Sequence, residues 1–315
     1  MPMDALTARK SMPFQDVVRR LLEVVKDDQI KVNEPLEYYT YTKIGGKADI
    51  LVLPATFSQV KGILLRAKQL QVPFMVMGNG SNVIVKDGGI RGIVIVMTRL
   101  TSISLQKNQI TAQSGIPLAV VSRYAWLHHL SGLEFAVGIP GTVGGAVCMN
   151  AGAYGGQISE VLERAVVLTK DGQCLSLTHQ QLHFEYRDSV IQRENHIVLE
   201  ATFHLEQGDG DEIKAKMDDL TQRRASKQPL EYPSCGSVFK RPQNDYAARL
   251  IQVSGLQGFR IGDAQVSTKH AGFIVNLGHA TASDYIQVIR HVQQTVLERN
   301  GIALNHEVKI VGEDV

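Results

Sequence analysis

A chain of 315 residues with 44% hydrophobic and 20% charged residues is long enough for two or three globular domains, which excludes disorder as its main state. Its 33 basic and 31 acidic residues are interspersed, so the net charge of +2 includes no basic stripe for nucleic acid. No run approaches the ~18 apolar residues of a membrane span, and the first residues lack a signal-peptide core. We therefore expect a soluble, cytoplasmic protein that binds neither nucleic acid nor membrane.

The cysteine pattern argues against structural zinc and disulfides. Cys148, Cys174 and Cys235 are an odd set without a C-x-x-C pair, which suits a reducing compartment, and no metal is expected. The ordinary interpretation is that they are small buried packing residues. Cys235 is the exception to watch, because it lies two residues from Ser237, a candidate catalytic residue considered below.

Helical and strand patterns alternate in the first third of the chain. Apolar residues at helical spacing predict a first amphipathic helix that braces the ligand-binding body. A β-helix-β order then places the loop Gly78–Asn82 at the end of a buried strand, where open α/β sheets commonly bind ligands. The predicted elements are a helix at 13–26, a strand at 50–53, a helix at about 57–70 and strands at 72–77 and 93–97.

Short strands dominate from residue 102, and a smaller α+β part follows the boundary at Gly208–Asp211. The last helix has Thr281 and Asp284 as a capping pair at its start and Gly301 past its end. The predicted elements are a helix opened by Pro117 and running to about residue 130, strands near 161–169, 174–177 and 196–205, and helices at 211–226 and 282–300.

Two glycine-rich segments are the strongest functional signal. Eight of the 25 residues from Gly132 to Gly156 are glycine, and a second segment reads Gly78-Asn-Gly-Ser-Asn82. Each glycine permits a positive φ and lacks the Cβ that would block a flat, phosphate-bearing ligand. Two such loops could grip one dinucleotide at two points. Tight turns without a ligand are the alternative.

The spacing argues against the two commonest nucleotide-binding motifs. Gly78-x-Gly80-x-x-Val83 lacks the third glycine of the dinucleotide fingerprint and runs into a predicted strand rather than a helix. No glycine-rich loop ends in Gly-Lys-Ser or Gly-Lys-Thr, so ATP hydrolysis is not expected.

Longer strings resemble one family of flavin enzymes. Residues 42–49, 78–83 and 138–145 resemble the FAD-binding half of the UDP-N-acetylenolpyruvoylglucosamine reductase (MurB) family. The short spacing after Ser237 resembles the compact type II form, which lacks an inserted substrate-covering segment. Further strings resemble the remaining family signatures in family order: Glu185–Ser189, Pro233–Lys240, Leu250–Gly258, Lys269–Phe273 and Leu304–Val308.

The resemblance implies an α+β fold. It consists of a two-lobed FAD-binding region of the PCMH/vanillyl-alcohol-oxidase type, followed by a smaller α+β substrate-binding domain. The corresponding segments are an N-terminal helical segment 1–30, FAD-binding lobe 1 at 31–98, FAD-binding lobe 2 at 99–208 and the C-terminal substrate-binding domain at 209–315. A monomer is expected.

The implied activity is NADPH-dependent, FAD-mediated reduction of UDP-N-acetylglucosamine enolpyruvate to UDP-N-acetylmuramate in cytoplasmic peptidoglycan precursor synthesis, and hence a role in cell-wall biogenesis, cell shape and division. Arg187, Ser237 and Glu307 match the family's catalytic positions. Hydride addition next to a carboxylate creates an enolate-like dianion, so Arg187 is expected to stabilise the charge, Ser237 to supply the proton, and Glu307 to orient the enolate or relay protons. Taken singly, these residues fit duller roles: a surface partner for Asp188, a turn residue and a solvent-facing acid.

The resemblance also implies ligand contacts. Lys227 and Lys240 resemble basic positions of the family and are expected to meet the diphosphate or carboxylate of the UDP sugar, and His270 is expected to line the nucleotide pocket. Surface lysines and a satisfied core histidine are the alternatives. Arg241 stands where many members carry Asn, which leaves its role open. The implied FAD contacts are Thr42, Gly78, Asn79, Gly80, Ser81, Asn82, Gly138, Pro140, Gly141, Thr142, Gly144 and Gly145.

No Arg-Gly-x-Gly-His string accompanies the first glycine loop, so FAD is expected to bind noncovalently.

Two other functions stay open. A related flavin oxidase or dehydrogenase that acts on an alcohol or hydroxy acid would share only the FAD half. A nucleotide sensor would keep the pocket without the three catalytic residues.

Overall fold

The computed structural model describes residues 14–315, which form eight α-helices. The first predicted helix is confirmed over Phe14–Leu22, but it ends four residues before the predicted residue 26, and its predicted start at residue 13 lies outside the described residues. The helices are α1 (Phe14–Leu22), α2 (Phe57–Gln69), α3 (Leu118–Leu127), α4 (Val143–Cys148), α5 (Val190–Glu194), α6 (Gly210–Lys227), α7 (Ala247–Val253) and α8 (Ala282–Asn300).

The first third of the chain builds a four-stranded sheet that carries the first glycine loop. The strands of this region are β1 (Ile30–Pro35), β2 (Lys47–Val52), β3 (Phe74–Met77), β4 (Val83–Val85) and β5 (Ile90–Val96). Strands β2, β5 and β3 run parallel in the sheet order β1-β2-β5-β3. Strand β3 is therefore an edge strand with only Met77 buried, which corrects the expectation of a buried strand before the loop Gly78–Asn82.

Helices α1 and α2 cover one face of this sheet. Val60, Ile63 and Leu64 recur at helical spacing on α2 and are completely buried beside Ile93 of β5. Leu21 of α1 lies in the same apolar cluster. The first helix therefore braces the sheet, as the sequence predicts.

The middle of the chain forms a five-stranded antiparallel sheet in the order β12-β11-β13-β7-β6. Helix α4 packs on this sheet, and the buried Val143 and Val147 join its core. The strands of this region are β6 (Ile103–Gln106), β7 (Gln109–Gln113), β8 (Leu130–Ser131), β9 (Gly152–Ala153), β10 (Gly156–Gln157), β11 (Leu162–Leu168), β12 (Cys174–Thr178), β13 (Ile197–His204) and β14 (Glu206–Gln207).

Helix α4 corrects the interpretation of the second glycine segment as a loop throughout. The helix contains two glycines, of which Gly144 is required by close packing. A Cβ on Gly144 would lie 2.8 Å from the Ser114 Cβ, and the Gly144 N–H donates to the Ser114 carbonyl at 2.9 Å. Helix α3 ends at Leu127, short of the predicted residue 130, because His129 adopts a φ of 56° and Leu130 enters β8.

The C-terminal part is a four-stranded antiparallel sheet, in the order β15-β18-β17-β16, with α8 against it. The strands of this region are β15 (Ser234–Ser237), β16 (Arg260–Ile261), β17 (Ala264–Val266), β18 (Phe273–Asn276) and β19 (Lys309–Val311). Strand β19 is not part of this sheet. It pairs in parallel with β4, and Lys309 lies opposite Val83. The chain's last strand is thereby tied to the segment that follows the first glycine loop.

Helix α8 has the predicted bounds and caps. The Thr281 side chain accepts from the Asp284 N–H, and Gly301 ends the helix with a φ of 68°. We expect Thr281→Ala to lower the free energy of unfolding by about 1 kcal/mol, because a first-turn N–H loses its acceptor. Urea denaturation measures this change. Thr281→Ser keeps the acceptor and is the matched control; equal losses in both variants would contradict the capping role.

None of the helices formed by residues 14–315 combines the length and the apolar character that a membrane crossing needs.

Candidate active site

One cleft gathers segments that lie far apart in the chain. Its walls come from the loop Gly78–Asn82, from residues 139–153 around α4, from the C-terminal end of α6 and from the end of β15. Arg187, Ser237 and Glu307 all line it, although 120 residues separate the first from the last. The structure therefore brings the three predicted catalytic residues to one place.

The two glycine segments are joined side by side across the cleft floor. The Asn79 side chain donates to the Pro140 carbonyl, and a Cβ on Gly78 would lie only 2.2 Å from the Thr142 hydroxyl. Gly78 is therefore needed for the contact between the segments themselves. Asn82 extends the contact to the C-terminal part, because its side chain donates to the Glu307 carbonyl at 3.3 Å.

Other glycines of the cleft have room for a side chain. A Cβ on Gly141 or Gly145 would meet its nearest protein atom at 3.5 Å and 3.7 Å, and a Cβ on Gly236 would meet nothing within 4 Å. Packing among the described residues does not demand glycine at these positions, although the φ of 76° at Gly236 itself favours glycine. All three line the cleft, so they leave a bare backbone cradle that fits the flat ring system and pyrophosphate of a dinucleotide.

The guanidinium of Arg187 is fixed by its neighbours. Nη1 donates to the Asn150 carbonyl at 3.2 Å, Nη2 donates to the Gly152 carbonyl at 2.9 Å, and Nε donates to the Glu307 carboxylate at 3.2 Å. Three of the five N–H donors are thus held, which leaves two for a ligand. Its neighbour Asp188 pairs with Arg193 instead, so Arg187 is not the surface partner of Asp188.

Arg187 also has an unusual backbone. It follows Tyr186 in a tight turn closed by hydrogen bonds between Glu185 and Asp188, and its φ is 57°. Glycine or asparagine usually occupies such a position, because the left-handed conformation strains other residues. Backbone strain of this kind clusters at functional sites.

Glu307 is a buried acid in contact with a cation. Its side chain is 14% exposed and that of Arg187 is 18% exposed. Burial raises the pKa of the Glu307 carboxyl, and the positive charges of Arg187 and Lys240 only partly offset this effect. A raised pKa favours the protonated acid that could donate a hydrogen bond to a developing anion.

The raised pKa of Glu307 predicts a pH dependence of stability. Between the ordinary pKa and the raised one, the folded protein binds more protons than the unfolded chain, so this contribution to the free energy of unfolding falls as pH rises. Glu307→Gln removes the titration but keeps an oxygen for Arg187. We expect the stability of the natural protein relative to this variant to be greatest at acidic pH and to decline toward neutral pH. Urea denaturation of both proteins across that range tests this, and parallel curves would contradict it.

Ser237 lies at the cleft end of β15 and is exposed there. Its neighbour Val238 accepts a hydrogen bond from the Glu307 N–H at 2.7 Å, which keeps the two segments together. Cys235 lies behind it in the apolar core, 3.4 Å from the Tyr285 hydroxyl. Burial raises the pKa of the Cys235 thiol to about 11, so the neutral thiol acts as a packing group.

The other two cysteines differ in burial. Burial likewise raises the pKa of the Cys148 thiol to about 11. Cys174 is exposed on β12, which corrects the expectation that it is a buried packing residue. Within residues 14–315, no His, Cys, Asp and Glu side chains form a group of three that could hold a metal ion.

Several predicted ligand contacts do not line the cleft. Thr42 is completely buried and its hydroxyl has no hydrogen-bond partner among the described residues. Lys227 is the exposed last residue of α6. Lys240 does not line the cleft either, but its positive charge is near enough to lower the pKa of Glu307. His270 packs edge-on against Phe273, which lines the cleft in its place. Gly138 packs against Arg224 and Gly144 against Ser114, so both serve protein packing.

Arg224 and Gln228 are cleft residues that the sequence did not single out. Burial lowers the pKa of the Arg224 guanidinium, and the Oε1 atom of Gln228 is buried without a partner among the described residues. Nothing in the sequence distinguishes Arg224 from its neighbour Arg223, which pairs with Asp219 on the exposed face of α6. Only the packing of α6 on the second glycine segment reveals the difference.

Two family models match the chain. A model described as FAD binding domain matches residues 48–178, and a model described as UDP-N-acetylenolpyruvoylglucosamine reductase, C-terminal domain, matches residues 228–311. The first match contains both glycine segments, and the second contains Ser237 and Glu307. Together they support the expected fold, an FAD-binding region followed by a smaller α+β domain.

Named relatives match nearly the whole chain. The UDP-N-acetylenolpyruvoylglucosamine reductase of Exiguobacterium sibiricum is 52% identical over 96% of this chain and 100% of its own length. The enzyme of that name from Listeria innocua is 56% identical over 90% of this chain and 96% of its own. A crystal structure of UDP-N-acetylenolpyruvylglucosamine reductase (MurB) from Thermus caldophilus aligns with a TM-score of 0.78 and 33% identity, covering 90% of this chain and 100% of that one. The chain therefore belongs to the UDP-N-acetylenolpyruvoylglucosamine reductase family.

Proposed function

We propose that this protein uses FAD and NADPH to reduce UDP-N-acetylglucosamine enolpyruvate to UDP-N-acetylmuramate, a step of peptidoglycan precursor synthesis. The observation that carries the proposal is the meeting of Arg187, Ser237 and Glu307 in one glycine-walled cleft, in a chain of this family. An alcohol oxidase would need only the FAD-binding half, and a sensor would not need these three residues.

FAD would be held noncovalently by the two glycine segments. The backbone at Gly141 and Gly145 offers close approach to the ring system or pyrophosphate, and the adjoining loop Gly78–Asn82 lines the same cleft. When bound, FAD supplies hydride transfer from NADPH to the alkene carbon remote from the substrate carboxylate.

The three side chains divide the remaining work. The two unpaired N–H donors of Arg187 bind the substrate carboxylate, where negative charge grows as the alkene is reduced, and the fixed guanidinium plane suits two oxygens. Ser237 donates a proton to the carbon next to that carboxylate. Glu307, whose pKa is raised by burial, would in its protonated form donate a hydrogen bond to the enolate oxygen.

The rest of the substrate carries a UDP group, whose charge needs basic partners. Lys240, which lies near Glu307, is the best placed of the proposed substrate residues. Lys227 and His270 remain part of the proposal, although neither lines the cleft in this conformation. A monomer in the cytoplasm, the preference for NADPH, and the division of the chain into segments 1–30, 31–98, 99–208 and 209–315 belong to the same proposal.

A colour test distinguishes the candidate functions. The purified protein is expected to be yellow, to bleach with NADPH in the absence of air, and to regain its colour when UDP-N-acetylglucosamine enolpyruvate is added. Recovery only on admitting air, with no response to this substrate, would favour an oxidase. A protein that binds FAD but does not bleach would favour a sensor. Denaturation and filtration should release all the pigment from the polypeptide.

A further inference from the structure

Asn150 lies directly behind Arg187 and is 2% exposed. It follows α4, where its own N–H donates to the Val147 carbonyl and the Ala151 N–H donates to the Ala146 carbonyl. This is the hydrogen-bond pattern of a Schellman motif, and the φ of Asn150 is 46°. Glycine is the residue that best tolerates this position, so helix termination alone does not require an asparagine side chain.

The side chain of Asn150 ties together three segments. Its Nδ2 donates to the Glu185 carbonyl at 3.1 Å, and its Oδ1 accepts from the Ser159 N–H at 2.9 Å. A weaker contact of 3.4 Å joins Nδ2 to Gln157. Glu185 is the first residue of the turn that carries Arg187, so the amide fixes the base of that turn.

The backbone of Asn150 holds the other end of the same arginine. Its carbonyl accepts from Arg187 Nη1 at 3.2 Å, while its amide holds the turn two residues before Arg187. One residue thus fixes both the backbone and the guanidinium of Arg187. The left-handed φ of Arg187 makes this support necessary, because a strained turn persists only when its surroundings hold it.

We infer that Asn150 is a positioning residue for Arg187 in the reduction of the enolpyruvyl group. This inference rests on the proposed function. The Asn150 side chain does not line the cleft; it sets the direction in which the two remaining N–H donors of Arg187 point. A misplacement of about 1 Å at such a group costs as much as 100-fold in rate.

The test is Asn150→Gly, which keeps the helix terminus and removes only the amide. We expect flavin reoxidation by the enolpyruvyl substrate to slow by about tenfold to 100-fold, with flavin reduction by NADPH and FAD content unchanged. Calorimetry on the oxidised protein should show weaker binding of UDP-N-acetylmuramate, whose carboxylate Arg187 holds. Asn195→Gly is the matched control, since Asn195 ends α5 with a φ of 56° and is exposed.

A double-mutant cycle separates positioning from general weakening. In the Arg187→Ala background, Asn150→Gly should slow reoxidation no further, because the residue through which it acts is gone. Multiplicative effects, or reoxidation and product affinity equal to those of the natural protein, would overturn the inference. Loss of FAD from Asn150→Gly would also overturn it, unless Asn150→Asp, which removes the Nδ2 donor to Glu185 and Gln157 but keeps an acceptor for the Ser159 N–H, retains FAD and shows the selective slowing. Failure of the natural protein to reoxidise with the substrate would refute the proposed function instead.

Discussion

Replacing Ser237 with alanine is expected to leave a protein that binds FAD and is reduced by NADPH at the normal rate but is hardly reoxidised by the enolpyruvyl substrate. The reason is that the hydroxyl supplies a proton in the second half of the reaction only. General acid catalysis contributes about 100-fold to 10,000-fold, so the loss in the reoxidation rate should be 100-fold or more. Anaerobic stopped-flow absorbance measures the two halves separately.

The matched control for this variant is Ser234→Ala. Ser234 begins the same strand, β15, but does not line the cleft. Its replacement changes one hydroxyl in the same strand and should leave both half-reactions unaltered. If Ser237→Ala reoxidised at the normal rate, Ser237 would have no part in the mechanism.

The second large effect is expected from Arg187→Lys. Lysine keeps the positive charge but loses the planar fork, so it cannot reach Glu307, the two backbone carbonyls and a substrate carboxylate together. We expect the reoxidation rate to fall by about 100-fold or more, which corresponds to the ~3 kcal/mol typical of losing an electrostatic stabiliser. Reduction by NADPH should be almost unchanged.

Arg223→Lys is the control for this substitution. Arg223 pairs with Asp219 on the exposed side of α6, so the same replacement there should change neither half-reaction. A normal reoxidation rate in Arg187→Lys would show that a positive charge alone suffices. The fixed geometry of the guanidinium would then have no catalytic role.

The sequence predicted the local elements of the fold because their signals are local. The apolar residues on one face of α2 belong to that helix alone, and the capping residues of α8 lie at its own two ends. Both helices have nearly the predicted bounds. Helix α4 is not predicted because glycine lowers helix propensity, whereas in the fold its buried Val143 and Val147 stabilise it by packing into the core of the five-stranded sheet. The pairing of β19 with β4 joins residues more than 200 positions apart, which no local pattern reveals.

Of the site, the three candidate catalytic residues were predictable and the residues that support them were not. The resemblance to the family pointed to Arg187, Ser237 and Glu307, and all three line the cleft. The supporting residues were not predictable, because Asn150 acts through its contacts and Arg224 differs from Arg223 only in the direction its side chain faces. Lys227 and His270 matched motifs, but Lys227 is exposed at the end of α6, and Phe273 lines the cleft whereas His270 does not.

A crystal structure with bound FAD and UDP-N-acetylmuramate tests this mechanism most directly. The isoalloxazine ring is expected to lie in the cleft lined by the two glycine segments. Ser237 Oγ should then lie within about 3 Å, or one water, of the carbon next to the lactyl carboxylate, with Arg187 and Glu307 at the carboxylate oxygens. A flavin bound elsewhere, or these three side chains directed away from the lactyl group, would contradict it.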